Sequence, residues 1–278
     1  MHLLVLGLGY TAARFAAAFS AAGGMVTSVR SRPGADALTL DDPAIAAVIG
    51  SASHILSSIP PAPSGEDPAL TSHGAAIAAA PARWVGYLSS TGVYGDAQGA
   101  WVDEASPLKG RRSGRLAADL DWQALHPQSR IFRLPGIYGP GRSALDRLRE
   151  RAVPRIDLPG HVFSRIHVDD IVGAMLASLD AGDPGVYNLC DDEPAPGEVV
   201  TAHAAQLLGL PVPPLQSLEA AGLSPMGRAF YGECRRVANG KMTRDLRYKL
   251  RYPDYRAGLA ACLRPDYRAD LAACLRGD

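Results

Sequence analysis

Two stretches of this chain carry residue types at spacings suited to chemistry. The first is Gly7-Leu8-Gly9-Tyr10-Thr11-Ala12, a G-x-G-x-x-A turn directly after the apolar run Leu3-Leu4-Val5-Leu6. In such a turn the first glycine permits the tight bend, the second lets a pyrophosphate approach the backbone, and the third small residue lets helix and strand pack closely. A helix opening at this point offers free N–H groups and the positive end of its dipole to phosphates. The second stretch is Ser89-Ser90-Thr91, a hydroxyl cluster at the end of Arg83–Leu88 (RWVGYL). A hydroxyl at the carboxyl end of a parallel strand is well placed to face a substrate, and a serine-capped turn is the plainer alternative.

A third signal refines the first. An NAD site would hold an acid at the end of the second strand, about 20 residues past the glycines, for the ribose 2′-hydroxyl. This chain instead reads Met25–Arg30 (MVTSVR) followed by Ser31 and Arg32, with no acid there. Two guanidinium groups at that point suit a 2′-phosphate, so the expected cofactor is NADP(H), held by Gly7, Gly9, Tyr10, Thr11, Ala12, Arg30 and Arg32.

The elements that must position these groups follow from patterning. Leu3–Leu6 is too short for an ordinary helix and reads as a buried parallel strand. The alanine-rich segment after it, with Phe15 and Phe19 four apart, reads as a helix. Leu38–Leu40 is a weak third strand, with a short helix near Ala44–Ile49. His54–Ile59 (HILSSI) is a fourth strand in which His54 is a core or edge residue. Ile59, Pro60, Ser89 and Pro135 sit at the ends of strands and are placed along the cofactor. Ala69–Ala80 and Arg111–Leu125 read as helices, the latter with Leu116, Leu120 and Trp122–Leu125 inward, and Trp101 anchors the irregular stretch between them. Ser129–Leu134 (SRIFRL) is the sixth strand, leading into a rigid turn through Pro135-Gly136-Ile137-Tyr138-Gly139-Pro140. Leu145–Ala152, Asp169–Leu179 and Gly197–Leu208 read as further helices, Phe163–Val168 and Val186–Leu189 as extended segments. From Pro211 onward, prolines break the rhythm into a smaller, irregular lobe. Pro253–Arg264 (PDYRAGLAACLR) recurs as Pro265–Arg276 with one difference, Gly258 against Asp270. Two copies are too few for a solenoid, and each copy reads as a short helix with proline at its first position.

Bulk composition narrows the classes. The 278 residues are 47% hydrophobic and 20% charged, with 28 Lys plus Arg against 28 Asp plus Glu, so no global field points to nucleic acid or a membrane. The first strand starts so close to Met1 that no signal peptide is expected, and no apolar run reaches membrane-spanning length. The cysteines, Cys190, Cys234, Cys262 and Cys274, have neither C-x-x-C nor zinc spacing, so no metal and a reducing cytoplasm are expected.

The ordered set of motifs resembles the extended short-chain dehydrogenase/reductase superfamily, the NAD(P)-dependent epimerases and dehydratases. It is carried by the Gly7–Ala12 turn, Ser89-Ser90-x-x-Val93-Tyr94-Gly95, Arg133-x-Pro135-Gly136-Ile137-Tyr138-Gly139-Pro140-Gly141, His167-Val168-Asp169-Asp170, Val186–Leu189 and Arg236-Val237-x-Asn239-x-Lys241. The resemblance implies an α/β, doubly wound parallel-sheet NAD(P)-binding Rossmann fold with a smaller C-terminal substrate lobe. Residues 1–190 would form the NADP-binding domain with a cleft-forming insertion at about 136–165, residues 191–264 a small substrate lobe, and 265–278 a duplicated tail. It also implies an oxidoreductase or epimerase/dehydratase acting on a polar hydroxy or keto compound such as a nucleotide-sugar. A homodimer through Ala69–Ala80 and Arg111–Leu125 is implied as well.

Two departures stand out. The glycine spacing is tighter than the family's G-x-x-G-x-x-G. The family's catalytic Tyr-x-x-x-Lys falls on Arg111 and Arg115. Arginine does not give up a proton near neutral pH. Arg115 could hold the nicotinamide ribose, and Arg111 an anionic group or developing oxyanion. Ser90 falls at the catalytic Ser/Thr position. A replacement acid/base would come from Tyr138 or Tyr94, with His167 a weaker candidate, and Arg142, Arg165 and Arg235 could grip a substrate anion. The alternative is a non-catalytic NADP(H)-binding sensor or partner-binding protein.

Overall fold

The computed structural model describes residues 1–32, 37–150 and 153–264. Its elements run in the order β1 (His2–Leu6), α1 (Tyr10–Ala21), β2 (Met25–Val29), α2 (Ile45–Ser51), β3 (His54–Ser57), α3 (Pro68–Ala78), β4 (Trp84–Ser90), β5 (Trp101–Val102), α4 (Ser113–Leu125), β6 (Ser129–Leu134), β7 (Gly136–Tyr138), α5 (Ala144–Glu150), β8 (Arg155–Ile156), β9 (Arg165–His167), α6 (Val168–Ala177), β10 (Gly185–Asn188), α7 (Gly197–Leu207), β11 (Leu215–Gln216), α8 (Pro225–Phe230), β12 (Arg236–Val237), α9 (Gly240–Asp245) and α10 (Tyr255–Ala261). Six strands form one parallel sheet in the order β10-β6-β4-β3-β1-β2. The chain moves outward from β1 to β2 and returns on β1's other side as β3. That reversal makes the switch point at which open parallel sheets bind ligands, and the glycine turn follows β1 there.

Strand β1 shows why the sheet is buried on both faces. Leu3 and Val5 enter one core with Phe15 and Phe19 of α1 and Ile171 and Met175 of α6. Leu4 and Leu6, the alternate positions, enter the other with Ile45 of α2, Ile77 of α3 and Trp122 of α4. Met242 and Leu246, from α9 and just after it, complete the first core, so the late part of the chain returns to the sheet. Short parallel pairs β5–β12, β7–β9 and β8–β11 tie the rest of the C-terminal half to earlier segments.

Several local expectations change. The third strand reduces to a bridge between Val29 and Leu38. Leu120 is 48% exposed, and α4 instead buries Ala118, Asp119 and Trp122. Trp101 is 59% exposed and anchors nothing, while its neighbour Val102 is buried. His54 is buried against Phe19 and Trp84, as its alternation implied. In the first repeat copy Asp254, not proline, caps α10, its carboxylate accepting the N–H groups of Arg256 and Ala257. The second copy, Pro265–Arg276, lies outside the described residues. Among the described residues no helix is long and apolar enough to cross a membrane.

Candidate functional site

The glycine turn is fixed by contacts on both sides. Gly7 has φ +87°, and a Cβ there would sit 2.8 Å from Ile59 Cγ1 and 3.2 Å from the Ile59 nitrogen. The Gly7 N–H donates to the Val29 carbonyl, and the Gly7 carbonyl accepts the Ser58 hydroxyl at 2.5 Å, so the turn is tied to β2 and to the exit of β3. Ile59 therefore shapes the turn directly. Gly9 differs: a Cβ there would meet nothing within 4 Å. It stands at the N-cap of α1, which has no side-chain cap and no acid in its first turn. The uncapped start of a twelve-residue helix thus has room beside Gly9, where a pyrophosphate would approach. Thr11 and Ala12 are buried behind it. Tyr10 braces the turn from the side. Its hydroxyl, pushed up to about 12 by burial, donates to the Pro140 carbonyl at 3.1 Å, and the Arg14 guanidinium lies 3.8 Å from its ring centroid. Arg142 covers the same ring at 5.5 Å.

Past β2, Arg30 lines an open cleft of about 550 Å³ with Ser31, Thr39, Leu40, Asp41 and Ser72. Arg32 is exposed beside it and does not line it. Asp41, which no motif marked, is held below the usual aspartate range by hydrogen bonds from the Thr39 side chain and its own backbone.

At the other end of the sheet edge lies a cavity of about 370 Å³. Ser90, Thr91 and Gly92 form one side, Leu134, Pro135 and Gly136 the floor, and Arg111, Arg112 and Arg115 the wall at the start of α4. Phe163, Ser164, Phe230, Glu233 and Arg235 close it from the C-terminal half. Ser90 Oγ accepts the Gly92 N–H at 3.1 Å, and the buried Ser164 Oγ accepts the Val237 N–H at 3.0 Å. Each hydroxyl thus accepts one backbone N–H and keeps its own proton to donate. Glu233 accepts from Arg111 Nε at 2.9 Å and from Arg235 Nη1 at 2.7 Å. Burial pushes this carboxyl up, but the bonds from Arg235 and Arg111 more than reverse that and hold it below the usual glutamate range. Arg111 also reaches the Ala229 carbonyl, and Arg235 the Gly95 carbonyl. Among the described residues no hydrogen bond or ion pair engages the side chains of Arg112 or Arg115.

A buried network supports this cavity from beneath. Arg133 Nη2 and Nε meet Asp119 at 2.7 and 3.1 Å, and its Nη1 donates to the Tyr94 hydroxyl, which donates to Asn188. The Ser89 hydroxyl donates to the same Asp119 at 2.5 Å. Strand alternation explains this: with Ser90 turned to the cavity, Ser89 must face α4, so its hydroxyl is occupied in the core and not presented to the cleft.

Other sequence candidates fall elsewhere. Tyr138 lines a second cavity of about 440 Å³ and not the one beside Ser90. Its hydroxyl donates to the Asp254 carbonyl at 3.3 Å, and burial pushes it far above the ordinary tyrosine range. Tyr94 is committed to Asn188. His167 is fully buried, its Nδ1 accepts the Asp169 N–H, and burial lowers it to about 4, so the ring is neutral near pH 7. Arg165 gives Nη1 to the Phe163 and Ala195 carbonyls. The structure thus unites Ser90, Arg111, Arg115, Pro135 and Arg235 and separates Tyr138 and His167 from them. It adds Arg112, Ser164 and Glu233, which no local motif marked. The run Glu233-x-Arg235-Arg236-Val237 offered a signal only in its charge.

No protein-family model matches the chain. A solved structure of a functionally unknown conserved protein from Silicibacter pomeroyi is 43% identical, covers 97% of this chain and 98% of its own, and superposes with a TM-score of 0.87. The human epimerase family protein SDR39U1, solved with NADPH, is 20% identical over 94% of this chain and 99% of its own, TM-score 0.75. Two curated relatives match over part of their length. Protein YeeZ of Escherichia coli is 32% identical over 60% of this chain and 58% of its own. A 3-diazoavenalumate denitrifying reductase from Streptomyces is 34% identical over 52% of this chain and 49% of its own. The chain thus matches about half the length of these curated relatives. It belongs to one family with the Silicibacter pomeroyi protein, and its fold is that of the extended short-chain dehydrogenase/reductase superfamily.

Proposed function

We propose that the protein is an NADP(H)-dependent oxidoreductase. The cofactor runs from Arg30 across the Gly7–Ala12 turn, past Ile59 and Pro60, to the cavity beside Ser90 and Pro135. The observation that carries this is the open space before Gly9 at an uncapped helix N-terminus, on the sheet edge that leads to that cavity. Arg30 is the reason to prefer the 2′-phosphate form, against the competing acid Asp41 in the same cleft. The human relative solved with NADPH and the Streptomyces relative named a reductase agree with this reading.

Bound there, the nicotinamide would supply or take up a hydride. The chain's own groups bind and orient the substrate, and the proton that accompanies the hydride is exchanged with solvent water at the substrate oxygen. Ser90 and Ser164 donate hydrogen bonds to the oxygen of a polar hydroxy or keto substrate. Arg115 holds the ribose side, as the resemblance implies. Arg111 cannot act as an acid or base near neutral pH and instead stabilises developing negative charge. Glu233, held ionised, orients Arg111 and Arg235.

A second reading has an observation of its own. Arg111 stands where the family's tyrosine is expected and is locked to Glu233 and Ala229, which suits a protein that binds the cofactor without chemistry. NADPH consumption against a panel of aldehydes, ketones and keto acids separates the two. The enzyme reading expects turnover with at least one compound, and a fall in kcat of about 10–100-fold in Ser90→Ala, typical of losing a donor to a reacting oxygen. NADPH binding without any turnover would establish the second reading.

A further inference from the structure

The cavity beside Ser90 carries more positive charge than the proposed cofactor uses. Four guanidinium groups, from Arg111, Arg112, Arg115 and Arg235, line it against a single carboxylate, Glu233. The pyrophosphate belongs at Gly9 and the 2′-phosphate at Arg30, both outside this cavity. Of the four, Arg115 alone has a role towards the cofactor. Glu233 balances one of the others, and the Arg112 side chain has no hydrogen bond or ion pair among the described residues. The thirteen-residue α4 begins here with Arg112 as its N-cap, no side-chain cap and no acid in its first turn, so its dipole adds to the same field. Like charges gathered in a partly closed cleft draw anions to it, and arginine binds planar oxyanions in a fork.

The cavity also has an aromatic continuation. The second, 440 Å³ cavity shares Gly136, Phe163 and Phe230 with it. The rings of Phe163 and Phe230 stack at 4.8 Å and 11°, making an aromatic wall common to both. Beyond it the lining is mixed: Ile137, Ile156, Val200 and Leu259 are apolar, and Arg147 and Arg165 are cationic.

We propose that the substrate is an amphipathic acid. Its carboxylate or phosphate is held beside Ser90 by Arg112 and Arg235, with Arg111 kept for the reacting oxygen, and its apolar body lies along Phe163 and Phe230 into the second cavity. This rests on the proposed cofactor position, which leaves these arginines free for substrate. A neutral polar sugar would leave the guanidinium cluster uncompensated and set its hydroxyls against the apolar wall.

Calorimetric titration tests this with three probes of one shape: 3-phenylpropanoate, 3-phenylpropyl phosphate and 3-phenylpropan-1-ol. Each is added to the full chain with and without saturating NADPH, whose own affinity is measured first. At least one acid is expected to bind about tenfold or more tightly than the alcohol, and Arg112→Gln to remove about tenfold of that advantage while leaving the alcohol unchanged. Phe230→Ala is expected to weaken all three probes. The tighter acid identifies the oxyanion. An alcohol that binds as well as both acids, an indifferent Arg112→Gln, or no binding of either acid at millimolar concentration would overturn the proposal. If NADPH binds and the acids show no advantage, the inference fails while the cofactor reading stands. If NADPH does not bind and the acids still bind through Arg112, the cofactor reading fails and the arginine cluster is an anion site without a hydride partner, which overturns the acid as substrate.

Discussion

The two ends of the candidate site are built in different ways. The glycine turn is local in the chain: from Leu3 to Ala12, strand, bend and helix start are one continuous piece set by backbone shape, with Val29, Ser58 and Ile59 closing on it from the neighbouring strands. The cavity beside Ser90 is assembled from β4, the start of α4, the end of β6, the segment before β9 and the segment between α8 and β12, and is fixed by side-chain charge. A site made of backbone shape within ten residues can be read from sequence. A site made of charges brought together from more than a hundred residues apart needs the fold.

This contrast can be broken or sharpened by mutation. The largest effect is expected under the cavity. Asp119→Ala leaves the Arg133 charge buried and unpaired, since both side chains are almost wholly enclosed. Denaturant unfolding should show a loss of about 3–5 kcal/mol. A loss under 1 kcal/mol would mean the network does not hold the cavity together.

The two glycines give the next pair. Gly9→Val adds a side chain into open space, so the fold is expected to persist while NADPH affinity falls about 100-fold, near 2.7 kcal/mol. Gly7→Ala forces φ +87° on a residue with a Cβ and presses it on Ile59, and should lower stability by about 1–3 kcal/mol. If Gly9→Val unfolds the chain, or binds NADPH normally, the open space is not a phosphate site.

The smallest effect is in pH. His167 is lowered to about 4 in the folded chain from an ordinary 6.5, chiefly by burial. A depressed folded value contributes stability that is present above pH 6.5 and lost as pH falls towards 4. Thermal unfolding at pH 7 and pH 5 should differ by on the order of 1–2 kcal/mol from this group, and His167→Gln should reduce the difference. His54, also lowered to about 4 with burial the main cause, adds an effect of the same sign.

The same contrast explains what the sequence made legible. Leu3–Leu6, the turn and the Phe15/Phe19 helix were readable because period and glycine spacing are local properties. Ser129–Leu134 emerged with its predicted bounds for the same reason. Ser90 reaches the cavity, as its position in the motif implied, while Ser89, expected along the cofactor, is sent by strand alternation to Asp119. Tyr138 looked like a cleft residue because its turn is one, but its hydroxyl is taken by a carbonyl more than a hundred residues away. Trp101 and Leu120 show that a large apolar side chain is no guarantee of burial. Glu233, Ser164 and Arg112 carried no motif, and their roles exist only once the C-terminal half folds back onto the sheet.

The central claim is that NADP(H) lies across the glycine turn with its 2′-phosphate at Arg30. A fluorescence titration of the purified chain and of Arg30→Ala with NADPH and NADH tests it most directly. Tight NADPH binding, weak NADH binding, and loss of that preference in Arg30→Ala are expected. Equal binding of both dinucleotides would remove Arg30 from recognition of the ribose, and binding of neither would leave the glycine turn without a nucleotide.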